Sequence, residues 1–210
     1  LISSNPTLSN MTISGNTASN YSAFSMGGGM YLVGSNPSLT NVVITGNTHE
    51  WSGDGGGMYL VDSDPTLIKM TISGNEANDG DGIYLSSSNP ILINVTISNN
   101  SDVVGGGGIF ASEASIINVT NSISTFNYPN NISLYGESGN QITITYSNIE
   151  GGEEGIFTND NGTVYWEEGN IDVNPLFCNA DSSDYTLASN SPALGSGEGG
   201  ANMGAYGVGC

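Results

Sequence analysis

Asp54 stands four residues before Met58 in the phrase Gly57-Met-Tyr-Leu60, and Asp79 stands four before Ile83 in Gly82-Ile-Tyr-Leu85. If the two phrases occupy equivalent places in stacked units, these carboxylates lie one above the other on adjacent layers. Asp81 follows beside them and Glu76 lies just upstream. Two carboxyl groups suffice for glycoside hydrolysis, about 5 Å apart for retention or about 6.5–9.5 Å for inversion. The same oxygens, joined by loop carbonyls, also suit calcium, which takes roughly six to eight hard ligands. Asp54, Asp79 and Asp81 are therefore both the candidate catalytic cluster and the candidate calcium site, and calcium is the one cofactor considered. Gly-Asp-Gly loops on a very acidic chain are more commonly turns or cation sites than catalysts, and the nine-residue calcium repeat of RTX solenoids is missing.

Basic chemistry has little to draw on. Lys69 and His49 are the only Lys, Arg or His side chains, against 20 acidic ones, for a formal charge of −19. Such a chain repels nucleic acid and anionic lipid, which removes both as partners. No segment approaches the roughly 18 consecutive apolar residues of a membrane-spanning helix, so no membrane insertion is expected.

The elements that must position these groups are written in a repeat. The phrase Asn5-Pro-Thr-Leu-Ser-Asn-Met-Thr-Ile-Ser-Gly-Asn16 returns as residues 36–47, 64–75 and 89–100, at intervals of 31 (36 − 5), 28 (64 − 36) and 25 (89 − 64). A second phrase, Gly29-Met-Tyr-Leu32, returns at 57–60, 82–85 and 108–111. Only the loop between the two phrases changes length. Apolar and small polar residues alternate within Met11-Thr-Ile-Ser14 and its copies, which is the period of a strand. Gly, Asn, Ser and Pro fill the intervals, and no substantial helix is expected.

Units this short bury an apolar face only by stacking. The fold expected is all-β, a single-stranded right-handed parallel β-helix of about six or more coils over residues 1–165, followed by an irregular capping segment over 166–210. Leu8, Met11, Ile13, Met30 and Leu32 point inward, with Leu39, Val42, Ile44, Met58 and Leu60 above them. Asn10, Asn41, Asn94 and Asn118 fall in one corner column, where amides can bond their equivalents, and Lys69 replaces Asn there as an outward corner residue. Leu1-Ile2 enters in strand register, as in a piece of a longer chain or a subunit whose first rung another molecule covers end to end.

Between inward Met30 and Leu32, Tyr31 points outward. Tyr59, Tyr84, Phe110, Tyr135 and Phe157 occupy equivalent places, so six aromatics form a ladder. It either stacks on itself or presents a contact surface for sugar rings or another protein. The variable loops add a rim with Tyr21, Phe24, His49, Glu50 and Trp51, aromatics among polar groups that suit neutral carbohydrate.

Cys178 and Cys210, the only cysteines, lie in the tail, and one disulfide closing it is the expected state. The tail carries Asn174-Pro-Leu-Phe177, Asp184-Tyr-Thr-Leu187, Ser191-Pro-Ala-Leu194 and Met203-Gly-Ala-Tyr206. Together the phrases resemble those of right-handed parallel β-helix surface proteins, the group with pectate-lyase-like folds and polymorphic outer-membrane adhesins. The tail is similar to the choice-of-anchor ending of secreted bacterial repeat proteins. That resemblance implies a secreted or cell-surface protein of bacterial type. Its functional implications divide between a noncatalytic module for adhesion, carbohydrate contact or fibre assembly and a carbohydrate-active hydrolase or lyase. The lyase is the weaker enzyme, since Lys69 and His49 are its whole supply of bases.

Overall fold

A coil that closes on itself in fewer than thirty or so residues needs sharp bends, and left-handed backbone supplies them. In the computed structural model, which describes residues 1–19, 25–49, 53–101, 106–136, 139–160 and 162–210, positive φ angles recur in three columns. Asn10, Asn41, Lys69, Asn94, Asn121 and Tyr146 form the first, Gly15, Gly46, Gly74, Asn99 and Phe126 the second, and Ser3, Gly34, Asp62, Ser87 and Ala114 the third. Asn118 is not in the first column. It pairs with Ile91, and the fifth coil is threaded three residues later than expected, so Asn121 takes the bend.

Each bend leaves backbone groups that the strands cannot satisfy, and the residue after it supplies them. After the second bend come Asn16, Asn47, Asn75, Asn100 and Asn127. Asn47 donates from its backbone N–H and its Nδ2 to Asn75 Oδ1 at 3.0 Å each. Asn75 does the same to Asn100 Oδ1, at 3.1 and 2.9 Å, while its Nδ2 also reaches the carbonyl of Ile44. Asn100 and Asn127 continue the ladder. Serines do similar work after the third bend, where the N–H of Ser35 donates to Ser63 Oγ, Ser63 to Ser88 and Ser88 to Ser115. Asn47, Asn75 and Asn100 are wholly buried.

Between the bends run parallel strands. Met30–Val33, Met58–Val61, Ile83–Ser86, Ile109–Glu113 and Ile132–Leu134 form a five-stranded sheet. The bridges Ile2↔Val33 and Ser133↔Phe157 add a partial turn at either end, so there are about five full turns. An 11-stranded sheet carries the other two sides. Leu39, Ile44, Leu60, Leu67, Ile72 and Leu85 are fully buried in one continuous core. Each such side chain contributes about 1.5–3 kcal/mol. In the first rung Leu8 and Ile13 are half-buried, and Met11 is exposed because only one neighbouring strand pairs with it. The strand Thr163–Trp166 and the Ser147–Ile171 pairing carry the parallel register past residue 165.

Among the described residues, the tail from Phe177 onward meets coils three to five. It turns back along the side of the solenoid. Phe177–Asn179 pairs antiparallel with Asp184–Leu187, and a Cys178–Cys210 disulfide closes the segment. Leu187, Ala193 and Met203 pack with Ile123 of the solenoid. Asn94 Nδ2 donates to Asn202 O, Ala205 N–H to Thr96 Oγ1, and Thr71 Oγ1 to Tyr206 Oη. Gly204 sits so close that a Cβ would meet Ile123 and Thr96 at 2.8 Å.

Replacing Asn75 by alanine strands the buried N–H of Asn47 and the carbonyl of Ile44, at about 1–3 kcal/mol per orphaned group. Urea unfolding is expected to show a loss of about 3 kcal/mol for Asn75→Ala and about 1 kcal/mol for the exposed bend substitution Asn10→Ala. Equal losses would contradict the ladder.

Candidate functional site

The second phrase places its aromatics in register, because Tyr31, Tyr59, Tyr84 and Phe110 are direct strand partners. Tyr59 and Tyr84 stack with centroids 4.5 Å apart and planes 6° from parallel. Tyr84 and Phe110 follow at 5.4 Å, Phe110 and Tyr135 at 5.6 Å, and Tyr135 and Phe157 at 6.3 Å. Tyr31 meets Tyr59 edge-on at 5.6 Å. All six expected rings are therefore brought together. The expectation of six exposed rings is corrected, since Tyr59 is 7% and Phe110 5% accessible.

Glycine backbone packs closely beside the middle of the ladder. A Cβ on Gly55 would meet Tyr59 Cβ at 2.7 Å, and one on Gly80 would meet Tyr84 Cα at 2.7 Å. The residues that lead into these strands thus pack on glycine against the base of each tyrosine. Burial pushes the Tyr59 phenol well above its ordinary range, helped by Tyr84 and Asp54, and raises that of Tyr84 in the same way. The ladder reopens at its far end, where Tyr135 is 48% and Phe157 43% accessible. Trp51, Tyr21, Phe24 and Glu50 lie outside the described residues.

Beside the open rings is a groove of about 390 Å³ lined by Asp79, Phe110, Pro129, Asn130, Ser133, Tyr135 and Phe157. A second hollow of about 450 Å³ adjoins it through Asn130 and Phe157 and is bordered by Glu154 and Asp160. The groove therefore combines two open rings with an amide and a carboxylate, over the buried hydroxyl of Ser133. No residue type in the repeat announced it, since Pro129 and Asn130 come from a degraded coil.

Asp54 and Asp79 do stack on adjacent rungs, joined by a parallel bridge. Both are half-buried. Desolvation, and then the charge of Asp79, push the Asp54 carboxyl up to about 6. Asp81, the third residue of the expected cluster, is turned into the fold. It is wholly buried, in the place held by Gly56 and Gly107 in neighbouring coils, and its Oδ1 accepts the N–H of Ala77 at 2.6 Å. The carbonyls of Asp54 and Asp79 are taken by Gly27 and Gly55. Among the described residues no three or more His, Cys, Asp or Glu side chains gather to hold a metal. Two carboxylates without Asp81 or those carbonyls do not fit the roughly six to eight oxygens of a calcium site.

The two bases are on separate elements. Lys69 is exposed at its bend, and His49 Nδ1 lies 2.8 Å from Ser25 Oγ, its pKa lowered by burial.

The raised Asp54 binds a proton in the folded chain at pH values where the unfolded chain has lost it. Its contribution therefore costs stability as pH rises from about 4 through about 6. Asp54→Asn is expected to raise the unfolding midpoint relative to the native chain above pH 6 and to match it near pH 4. A difference independent of pH between these limits would contradict the assignment.

No curated protein and no solved structure matches the chain. The family described as the right handed beta helix region matches residues 2–142 and, in an overlapping placement, 51–192. With the parallel register of the sheets, that coverage establishes that the chain belongs to the right-handed β-helix family.

Proposed function

We propose that the protein is a noncatalytic extracellular module that binds neutral carbohydrate in the groove beside Tyr135 and Phe157. The observation that carries this reading is the groove itself, where the two most open rings of the ladder face Asn130, Ser133 and Asp79. Sugar rings present C–H faces to aromatics and hydroxyls to amides and carboxylates, which is the pairing of apolar wall and few polar groups that binding sites use. The charge of −19 favours neutral over anionic polymers. A rigid solenoid at a bacterial-type cell surface would display the groove, and the ladder behind it would keep the rings from collapsing.

A second reading, a carbohydrate-active enzyme, is supported by one observation. Asp54 retains a proton to about pH 6 while standing a rung from Asp79, as a general acid beside a carboxylate would. Asp79 reaches the groove, so the pair borders the same bound polymer.

Calorimetric titration with neutral oligosaccharides is expected to show affinity reduced about tenfold or more in Tyr135→Ala, Phe157→Ala. Unchanged affinity in that variant would refute the groove. Reducing-sugar release by the native chain that falls about 100-fold or more in Asp54→Asn would establish the enzyme instead.

A further inference from the structure

The second column of bends contains an exception that the stacking does not require. Gly15, Gly46, Gly74 and Asn99 tolerate left-handed backbone, but the fifth coil places Phe126 there, at φ 58°. Glu150 Oε2 holds the bend, accepting the N–H of Phe126 at 2.6 Å and the hydroxyl of Thr125 at 3.0 Å. The ring is 41% accessible. Facing it is a second apolar residue in the same unfavourable conformation, Leu176 of the tail, at φ 53°. Bulky side chains in left-handed backbone persist only where the surroundings over-determine them, and ligand clamps are one such setting.

Between these two residues is a cleft of about 530 Å³, within the usual range for a small-ligand site. One wall is aromatic. Phe126 meets Phe177 edge-on at 6.4 Å, and Phe177 meets the buried Tyr185 at 5.2 Å. The floor is fixed by Asn99, whose Nδ2 donates to Tyr185 Oη at 3.1 Å and Ala180 O at 3.4 Å. At the rim, the side chains of Asn179 and Asp181 are exposed and have no hydrogen-bond partner among the described residues.

We infer that this cleft between the tail and the fourth and fifth coils is a separate binding site for a neutral saccharide, with the face of Phe126 as the platform and Asn179 and Asp181 bonding its hydroxyls. A buried apolar ligand would leave the rim amide and carboxylate unsatisfied. An anionic ligand would meet Asp181 without a basic group in the lining, on a chain of charge −19. A sugar satisfies both walls. The site uses no residue of the ladder groove, so the two can fail independently.

The test uses Phe126→Gly, which gives the bend the residue its column holds at 15, 46 and 74, and so removes the ring without obstructing the fold. The probes are cellohexaose, maltohexaose and chitohexaose, with polygalacturonate as the anionic control and a Phe-containing tripeptide as the apolar one, each titrated by ligand-observed NMR. The expected result is saturation transfer from at least one neutral hexasaccharide. Measured in the Tyr135→Ala, Phe157→Ala background, which removes the ladder groove and leaves this cleft, that binding weakens about tenfold or more when Phe126→Gly or Asn179→Ala, Asp181→Ala is added. Binding in that background left unchanged by Phe126→Gly, tripeptide binding in place of sugar, or no neutral hexasaccharide bound there at millimolar concentration would each overturn the proposal. A changed melting midpoint with unchanged titrations would make Phe126 a packing residue only.

Discussion

The solenoid depends on satisfying the backbone at its bends. A strand passes its N–H and C=O groups to the rungs above and below, but a left-handed corner breaks that exchange three times per coil. The buried amide after the second bend repairs it. Its Oδ1 takes two hydrogens from the rung before, and its Nδ2 supplies one to the next amide and one to a carbonyl of the preceding rung. Because each amide is both served and serving, the column cooperates along the axis. It also crowds the glycines nearby, since a Cβ on Gly29, Gly57, Gly82 or Gly108 would meet a carbonyl of the next rung at 2.3–2.6 Å and the amide of Asn47, Asn75, Asn100 or Asn127 at 3.0–3.2 Å.

Fixing the corners fixes everything between them. Strands that start at the same height deliver the same side chain to the same face, so tyrosine repeated once per coil must stack. Asp repeated at 54 and 79 must also stack, and there the geometry works against the charges. Burial first, and then repulsion from the neighbouring Asp79 carboxylate, favour the protonated form of Asp54. The ladder and the acid pair thus arise from one cause with opposite energetic signs.

Much of this was legible in the chain. The two phrases gave the strands, the inward residues and the carboxylate stack, because a strict repeat converts sequence spacing directly into spatial register. The amide ladder was expected at Asn10, Asn41 and Asn94, whereas the buried one runs through Asn47, Asn75 and Asn100 at the end of the repeated phrase, since burial does not show in residue type. Asn118 misled because the fifth coil is threaded three residues later, a shift that only pairing with Ile91 exposes. Asp81 misled because a carboxylate turned inward to hold Ala77 reads the same as one facing solvent. The tail motifs looked like a cap, whereas Met203, Gly204, Ala205 and Tyr206 each meet a side chain or backbone of coils three to five.

Residues that every coil shares are accounted for by stacking, so the places with room for selection by function are those where one coil departs from its column. Asp81 replaces a glycine and serves its own shortened loop, which is a structural use. Ser124 replaces isoleucine between Ile97 and Ile149, and its hydroxyl joins Asn127 and Asn131 in a polar pocket, again an internal use. Phe126 replaces glycine, is held in an unfavourable backbone by Glu150, and still leaves its ring open. Tyr135 and Phe157 are the most exposed rings of the ladder. In the first two departures the new group is consumed within the fold, and in the last two an aromatic face remains unsatisfied beside polar groups. Both surfaces proposed above therefore lie at the degraded later coils and the tail, away from the regular repeats.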